Sequence, residues 1–254
     1  MISKNQIKLV KRLEQSKYRR IEGLFIAEGP KLVGELLAAK FIPKIIFATQ
    51  EWTSPFYKVL VESKLINQIN ESELCNLSLQ QHPNQVIGLF SQCERTLPND
   101  LGKHGLVLAL DGIQDPGNMG TICRIADWFG IEDIICSNNT VDIYNPKAIQ
   151  ATMGAIARIR IHYCNLPDYL VNALKQEIPV YGTFLKGENI YTTPLDSNGI
   201  IVMGNEGNGI SSDVSRYVSK RILIPNYPNG RITTESLNVA VATAITVAEF
   251  RRRG

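Results

Sequence analysis

The sequence of 254 residues has an ordinary globular composition, with 44% hydrophobic and 20% charged residues. Its length suits one large or two modest domains. Since no apolar run approaches the roughly 18 residues that a transmembrane helix needs, no membrane-spanning segment is expected. The net charge of +3 is only mildly basic, and it permits a polyanionic partner without requiring one.

Basic side chains concentrate at both ends of the sequence. Seven lysines and arginines lie within the first twenty residues against one acid, Glu14, and residues 251–253 are all arginine. Such clusters are typical of nucleic-acid-binding surfaces and also of solvated helix faces. These clusters alone leave both interpretations open.

The cysteines and the N-terminus predict a reduced environment. None of the five cysteines shows CxxC or Cys/His metal spacing, and no apolar signal core follows the basic N-terminus. We therefore expect free thiols, no metal site and a cytoplasmic protein.

The first third of the chain predicts a small α/β unit. A short helix is favoured within residues 2–20, and residues 20–39 predict a strand, a break at Gly29-Pro30 and a helix. The pattern continues through residues 44–49, 54–63 and 85–90. Residues 93–105 have the composition of a linker, so we predict domains of residues 1–95 and 106–254 joined by residues 96–105.

After residue 106, short apolar strands alternate with helices. This pattern predicts a mainly parallel sheet covered by helices on both faces. The strands are expected at 106–113, 133–137, 158–164, 179–185, 200–204 and 222–225, and the helices at 119–129, 145–156, 167–176 and 236–250.

The segment 111–124 holds the first candidate site residues. Gly117 and Gly120 would let the backbone approach a ligand closely. Asn118 could bind one or simply cap the following helix. Arg124 lies in an apolar stretch, where a guanidinium needs a carboxylate or phosphate partner.

Two further segments are rich in ligand-binding groups. The glycine turn 204–209 follows a strand but matches neither the P-loop nor the dinucleotide pattern, so Glu206 is either a ligand group at a strand end or an ordinary turn residue. Ser236, Leu237 and Asn238 are expected to open the last helix, with Ser236 as its N-cap. That helix is apolar on most sides, which predicts burial in the domain or at a subunit contact.

Taken in order, these segments resemble the three signature motifs of the SpoU-type RNA 2′-O-ribose methyltransferases, in the SPOUT superfamily. The motifs match residues 111–131, residues 201–211, and residues 222–225 with 235–250. Residues 145–159 and 19–37 resemble the family as well. One departure is the loop 226–235, which is longer than the family's usual loop and affects the shape of the cofactor pocket.

The resemblance implies a catalytic domain with a trefoil knot, an N-terminal RNA-binding domain related to a ribosomal protein, and a homodimer with its active site near the subunit contact. The cofactor would be S-adenosylmethionine, and the substrate ribosomal or transfer RNA, with ribosomal RNA slightly favoured. The positions that match the family's cofactor-binding residues are Gly182, Thr183, Gly204, Ile224 and Leu237.

The resemblance also implies that Arg124 is the catalytic residue, oriented with the ribose by Asn118, Glu206, Ser236 and Asn238. Arginine is a poor base because its pKa exceeds about 12. Arg124 would therefore act as an assisted base or stabilise the developing alkoxide.

The sequence leaves two other functions open. The first is a non-catalytic RNA-binding or ribosome-assembly protein on the same scaffold. The second is a nucleotide-binding Rossmann enzyme, which would need an acidic residue at the end of the second strand, where this chain has Ser137.

Overall fold

The computed structural model describes residues 2–228, 231–232 and 234–253. The chain forms two compact units, Met1–Glu94 with Asp142–Arg158, and Arg95–Val141 with Ile159–Gly254. The segment Asp142–Arg158 therefore packs with the first unit, although it follows residue 106 in sequence. The assignment of a substrate-binding and a catalytic domain to residues 1–95 and 106–254 stays a prediction.

The first unit contains a four-stranded mixed sheet with the order β1-β4-β2-β3. Strand β4 is antiparallel to both neighbours, and β2 and β3 are parallel. Numbered along the whole chain, its elements are α1 Lys4–Arg12, α2 Ser16–Glu22, β1 Leu24–Glu28, α3 Pro30–Ala38, β2 Pro43–Ala48, α4 Tyr57–Glu62, β3 Ile66–Gln68, α5 Glu71–Leu77, β4 Val86–Ser91, α7 Pro146–Ala151 and a 3-10 turn Ala155–Ala157.

Part of the basic N-terminal cluster has a structural role. The Arg19 side chain is buried, and its Nε and Nη2 donate to Asp142 Oδ2 at 2.9 and 2.6 Å. Its Nη1 donates to the carbonyl oxygens of Leu13 and Glu14. Arg19 therefore stabilises the interior of the first unit and is not available to bind a polyanion.

The second unit is built on a six-stranded sheet with the order β10-β8-β9-β5-β6-β7, in which every described pair is parallel. This confirms the predicted α/β class and mainly parallel sheet. Its central strands are buried along their whole length. The elements are β5 Leu106–Asp111, α6 Pro116–Trp128, β6 Asp133–Ser137, β7 Arg160–Cys164, α8 Leu166–Lys175, β8 Val180–Asn189, β9 Gly199–Gly204, α9 Ser212–Ser215, β10 Lys220–Leu223 and α10 Val239–Arg253.

The predicted cap Ser236 is wrong, and Asn118, for which a cap was one of two open alternatives, is not a cap either. Helix α6 begins at Pro116, and Asp115 rather than Asn118 caps it by accepting a hydrogen bond from the Asn118 N–H at 2.7 Å. Helix α10 begins three residues after Ser236. Asn238 caps it, since its Oδ1 accepts from the N–H groups of Ala240 and Val241 at 2.9 and 3.3 Å. Both corrections free Asn118 and Ser236 for other roles.

The helix expected over 145–156 is also shorter than predicted. Helix α7 ends at Ala151, and a 3-10 turn follows Gly154, whose φ is +99°. That conformation favours glycine and interrupts a regular helix. None of the described helices is long and apolar enough to cross a membrane.

Candidate active site

A cavity of about 1080 Å³ opens beside the middle of β8 and the ends of β9 and β10. The carboxyl edge of a parallel sheet is where α/β proteins commonly bind ligands. Within the described residues its wall comes from segments 183–186, 203–210, 223–227 and 234–237, with Arg221 from β10 and Val239 and Ala242 from α10. The second and third sequence motifs thus face one space.

Four of the five residues expected to bind a cofactor lie on the cavity wall, namely Thr183, Gly204, Ile224 and Leu237. Gly182 lies just behind the wall on β8. A Cβ there would approach the side chains of Phe184 and Val218 at 2.7 and 2.9 Å. Gly182 therefore shapes the wall through close packing.

Gly204 permits a turn to fold directly onto the end of β9. The turn closes through paired backbone hydrogen bonds of 2.9 Å between Asn205 and Gly209. A Cβ at position 204 would lie 2.3 Å from backbone atoms of Gly209 and Ile210. Only glycine fits here without displacing the turn.

Glu206 is held by hydrogen bonds on both carboxylate oxygens. Oε1 accepts from the Asp115 N–H at 3.2 Å and from Asn118 Nδ2 at 3.0 Å, while Oε2 accepts from the Gln114 N–H at 3.2 Å and from Asn205 Nδ2 at 3.4 Å. Partial burial raises the pKa of Glu206, but the hydrogen bonds from Asn118 and from backbone N–H groups outweigh it and lower the pKa below the usual range. Glu206 is therefore an ionised carboxylate that holds the turn in place, and both of its oxygens already accept two hydrogen bonds each.

Asn118 joins the three motifs through its side chain. Its Nδ2 donates to Glu206 Oε1 at 3.0 Å, and its Oδ1 accepts from Asn238 Nδ2 at 2.9 Å. We call Glu206, Asn118 and Asn238 the motif network. It fixes α6 and the start of α10 against the glycine turn.

Arg124 lies outside this arrangement. Its neighbours Ile122, Cys123 and Ala126 are buried, whereas Arg124 is on the exposed face of α6 and is not among the described residues that line the cavity. Within the described part of the chain Arg124 makes no hydrogen bond or ion pair. Because its side chain is exposed to solvent, it does not need the carboxylate or phosphate partner that was expected for an apolar stretch. Ser236, in contrast, is exposed on the cavity wall.

Asn205 is a site residue that the sequence did not single out. Its Nδ2 donates to the Gly112 carbonyl at 2.7 Å, and its Oδ1 accepts from the N–H groups of Gly207 and Asn208, both at 3.0 Å. An asparagine that opens a glycine-rich turn is a signal for this geometry. Asn205 therefore shapes the turn and attaches it to the loop after β5.

No metal site is visible in the residues that the structure describes, where no group of three or more His, Cys, Asp or Glu side chains could hold an ion. The cysteines are free thiols, and burial raises the pKa of Cys123 to about 12. Cys123 is therefore a poor nucleophile and a poor metal ligand.

Two family models match separate parts of the chain. Residues 105–248 match the SpoU rRNA methylase family, and residues 4–88 match an MRM3-like substrate binding domain. A 23S rRNA (guanosine(2553)-2′-O)-methyltransferase of Bacillus subtilis is 30% identical, over 98% of this chain and 97% of the relative.

Solved structures agree with this match over the full length. A TrmH-family protein from Porphyromonas gingivalis is 38% identical, with a TM-score of 0.87 and complete coverage of both chains. An AdoMet-bound rRNA methyltransferase from Sinorhizobium meliloti is 28% identical, with a TM-score of 0.86 over 100% of this chain and 96% of that one.

Proposed function

Because the chain belongs to the SpoU rRNA methylase family, we propose that it transfers the methyl group of S-adenosylmethionine to a ribose 2′-hydroxyl of ribosomal RNA. The observation that carries the proposal is the convergence of the second and third motifs on one cavity, with the first motif braced against it by Asn118. The name of the B. subtilis relative supports ribosomal RNA over transfer RNA.

The cavity suits S-adenosylmethionine. Gly204 brings backbone groups of the turn close to the ligand space, and Met203, Ile224 and Leu237 supply apolar wall. We assign cofactor binding to Thr183, Gly204, Ile224 and Leu237, with Gly182 supporting them from behind. When bound, the cofactor supplies an electrophilic methyl group on a sulfonium.

The chain must align the 2′-oxygen and help to remove its proton. Glu206 already accepts four hydrogen bonds, so we assign it a positioning role. Asn118 and Asn238 hold the ends of α6 and α10 together, and Ser236 is placed to meet the ribose from the cavity wall.

Arg124 is the group proposed to act on the hydroxyl. Its exposed guanidinium is free to approach substrate, and a cation beside the 2′-oxygen stabilises a developing alkoxide. Arg124→Ala should abolish methyl transfer measured with tritiated cofactor and leave cofactor affinity by calorimetry unchanged. Retained turnover would remove Arg124 from the mechanism, and failure of the wild type to bind cofactor would favour a non-catalytic scaffold.

We further propose that the enzyme is a homodimer in which Arg124 of one copy serves the cavity of the other. Apolar side chains support this, because Trp128 on α6 is 85% exposed and Val241 on α10 is 49% exposed. Isolated apolar side chains are common on surfaces, but these lie on two helices that pack together.

Mixing two inactive variants tests that arrangement. Arg124→Ala keeps the cofactor pocket, and Gly204→Ala keeps the arginine. If the residues act across a twofold dimer, co-refolding equal amounts should restore about a quarter of wild-type activity, because half of the dimers regain one of two sites. No recovery, with dimers confirmed by light scattering, would place Arg124 in the site of its own copy.

We infer a trefoil knot around the cavity, binding of RNA by the N-terminal unit, methyl transfer without a metal, and a cytoplasmic location. The match of residues 4–88 to a substrate binding domain supports the second of these. Mapping 2′-O-methyl groups in RNA from a deletion strain would identify the nucleotide, and an unchanged map would count against the enzyme.

A further inference from the structure

Strand β8 carries a large bulge beside the cavity. Arg221 of β10 pairs with Gly182, but the next residue, Ile222, pairs with Glu188. Residues 183–187 therefore face no partner on β10. Bulges redirect side chains and are frequent beside active sites. Here the bulge places Phe184, Leu185 and Lys186 on the cavity wall.

The bulge is closed by a specific contact. A Cβ on Gly187 would lie 2.7 Å from the carbonyl oxygen of Arg221 and 2.9 Å from its carbonyl carbon. Only glycine therefore lets β8 return to its neighbour at this point. The bulge is a shaped feature of the sheet, maintained by close backbone packing.

A cation and an aromatic ring are paired at the rim of the cavity. The Arg221 guanidinium lies 4.0 Å from the Phe184 ring centroid, and Arg221 Nη2 donates to Ser215 Oγ at 2.8 Å. Lys186, two residues beyond Phe184, is exposed. We call Phe184, Lys186 and Arg221 the bulge rim.

The bulge rim has the chemistry of a single-stranded RNA site. Aromatic rings and guanidinium planes stack on unpaired bases, and neighbouring cations hold the phosphates. Leu185, which lies between Phe184 and Lys186 in sequence, is 70% exposed. The cavity, at about 1080 Å³, is close to the upper end of the roughly 300–1,000 Å³ range of small-molecule pockets, and the bulge rim lines it together with the residues assigned to the cofactor.

We propose that the bulge rim grips the RNA strand that enters the cavity. Arg221 and Lys186 bind phosphates of that strand, and one unpaired base stacks against the Phe184–Arg221 pair. This inference rests on the proposed methyl transfer, and it gives the catalytic unit an RNA contact of its own.

The test compares Arg221→Ala and Lys186→Ala with Arg216→Ala. Arg216 also carries one positive charge, its side chain is 71% exposed, and it does not line the cavity among the described residues. Binding of a fluorescein-labelled single-stranded RNA oligonucleotide is measured by anisotropy at several salt concentrations, and cofactor binding by calorimetry.

Arg221→Ala and Lys186→Ala should each weaken RNA binding several-fold and reduce the slope of log affinity against log salt by roughly 0.7, the value for one lost phosphate contact on a single strand. Phe184→Leu should weaken binding roughly tenfold with the salt slope unchanged, because it removes stacking and keeps the charges. Cofactor affinity should not change, and Arg216→Ala should match the wild type. If Arg221→Ala fails to fold, Arg221→Gln replaces it, because glutamine removes the charge and keeps a side-chain donor for Ser215 Oγ.

Two results would overturn the proposal. One is reduced cofactor affinity with unchanged RNA binding, which would make the rim part of the cofactor pocket. The other is RNA binding by the rim variants equal to that of Arg216→Ala. Because the assay measures binding directly, it remains decisive even if the wild type methylates no RNA, an outcome that would defeat the proposed function separately.

Discussion

At the scale of single residues, Gly204 and Gly207 occupy the same turn but have different surroundings. A Cβ on Gly204 would meet backbone atoms at 2.3 Å, whereas a Cβ on Gly207 would meet only Asn205 Oδ1, at 3.7 Å. These backbone atoms cannot shift unless the whole turn moves, and the turn forms part of the cavity wall. Gly204→Ala should therefore weaken cofactor binding strongly, by about 3 kcal/mol or roughly a hundredfold.

Calorimetry with S-adenosylmethionine measures this difference. Gly207→Ala is the matched control and should bind within about twofold of the wild type, since ordinary surface substitutions cost within about 0.5 kcal/mol. Equal affinity of the two variants would show that the turn does not shape the cofactor site.

Glu206 gives a prediction about pH. Glu206→Gln replaces one acceptor oxygen by an NH₂ group that faces two donors, so the variant should unfold at a lower temperature at pH 7. Folding lowers the pKa of Glu206. Its charge therefore stabilises the fold above the unfolded value of about 4.3, and this contribution disappears as the pH falls through the lowered folded value.

Thermal melts from pH 7 down to pH 2 test the sign. The gap in melting temperature between wild type and Glu206→Gln should narrow below about pH 4.3. Glu235→Gln, on the same cavity wall, controls for the loss of a charge and should show little gap at pH 7. A difference in melting temperature between wild type and Glu206→Gln that widens towards low pH would contradict the stabilising role assigned to the Glu206 carboxylate.

At the scale of elements, Arg253 anchors the C-terminal end of α10 more strongly than its neighbour Arg252 does. Arg253 donates to Glu249 Oε1 at 2.6 Å, to the Thr193 carbonyl at 2.6 Å and to the carbonyls of Ile190 and Tyr191. Arg252, whose side chain is 66% exposed, bonds only to Glu249 among the residues that the structure describes. Arg253 therefore attaches the end of α10 to residues 190–193. The sequence alone left a nucleic-acid-binding surface and a solvated segment equally open for this arginine run.

Arg253→Ala should lower the free energy of unfolding by about 2 kcal/mol, because several hydrogen bonds from a charged group are lost. Arg252→Ala should lower the free energy of unfolding much less than Arg253→Ala, as expected for an exposed ion pair. Urea unfolding of both variants measures the difference. Similar losses would mean that the contacts to residues 190–193 contribute little.

Elements whose signals are local were predictable from sequence. The apolar runs of β5 and β9 predicted buried parallel strands, and both are buried throughout. The β8 bulge was not predictable, because a register shift is a property of two paired strands. The start of α10 was misplaced since Ser236 and Asn238 are both good caps, and the choice between them depends on the contact of Asn238 with Asn118.

At the scale of the whole molecule, the main surprise is the grouping of Asp142–Arg158 with the first unit. No sequence pattern reveals it, because the contacts that hold this segment join residues about 120 positions apart. Arg19 pairs with Asp142, Glu35 with Arg158, and the Phe25 ring lies 4.8 Å from the Tyr144 ring. The candidate site was more accessible to sequence reasoning because its residues come in contiguous motifs, although only the structure shows that Arg124 lies outside the cavity.

This grouping predicts how the molecule can be divided. Residues 1–94 expressed alone should be much less stable than the same residues in the full chain. The fragment leaves the buried Arg19 guanidinium without the Asp142 carboxylate, and breaking such a pair costs about 3–5 kcal/mol. It also uncovers the side of β1 that α7 contacts. A cut based on sequence order alone would therefore remove part of the first unit.

Tryptophan fluorescence can report on the first unit by itself. The chain has two tryptophans, and Trp52 is buried in the first unit while Trp128 belongs to the second. In a Trp128→Phe background, urea unfolding followed through Trp52 should show a lower midpoint for the fragment than for the full chain. Full-length Asp142→Asn should fall between them, because it loses the charge of the partner and keeps the segment in place. A fragment as stable as the full chain would mean that residues 142–158 contribute nothing to the unit, and that the pairing of Arg19 with Asp142 only offsets the cost of burying the two charges.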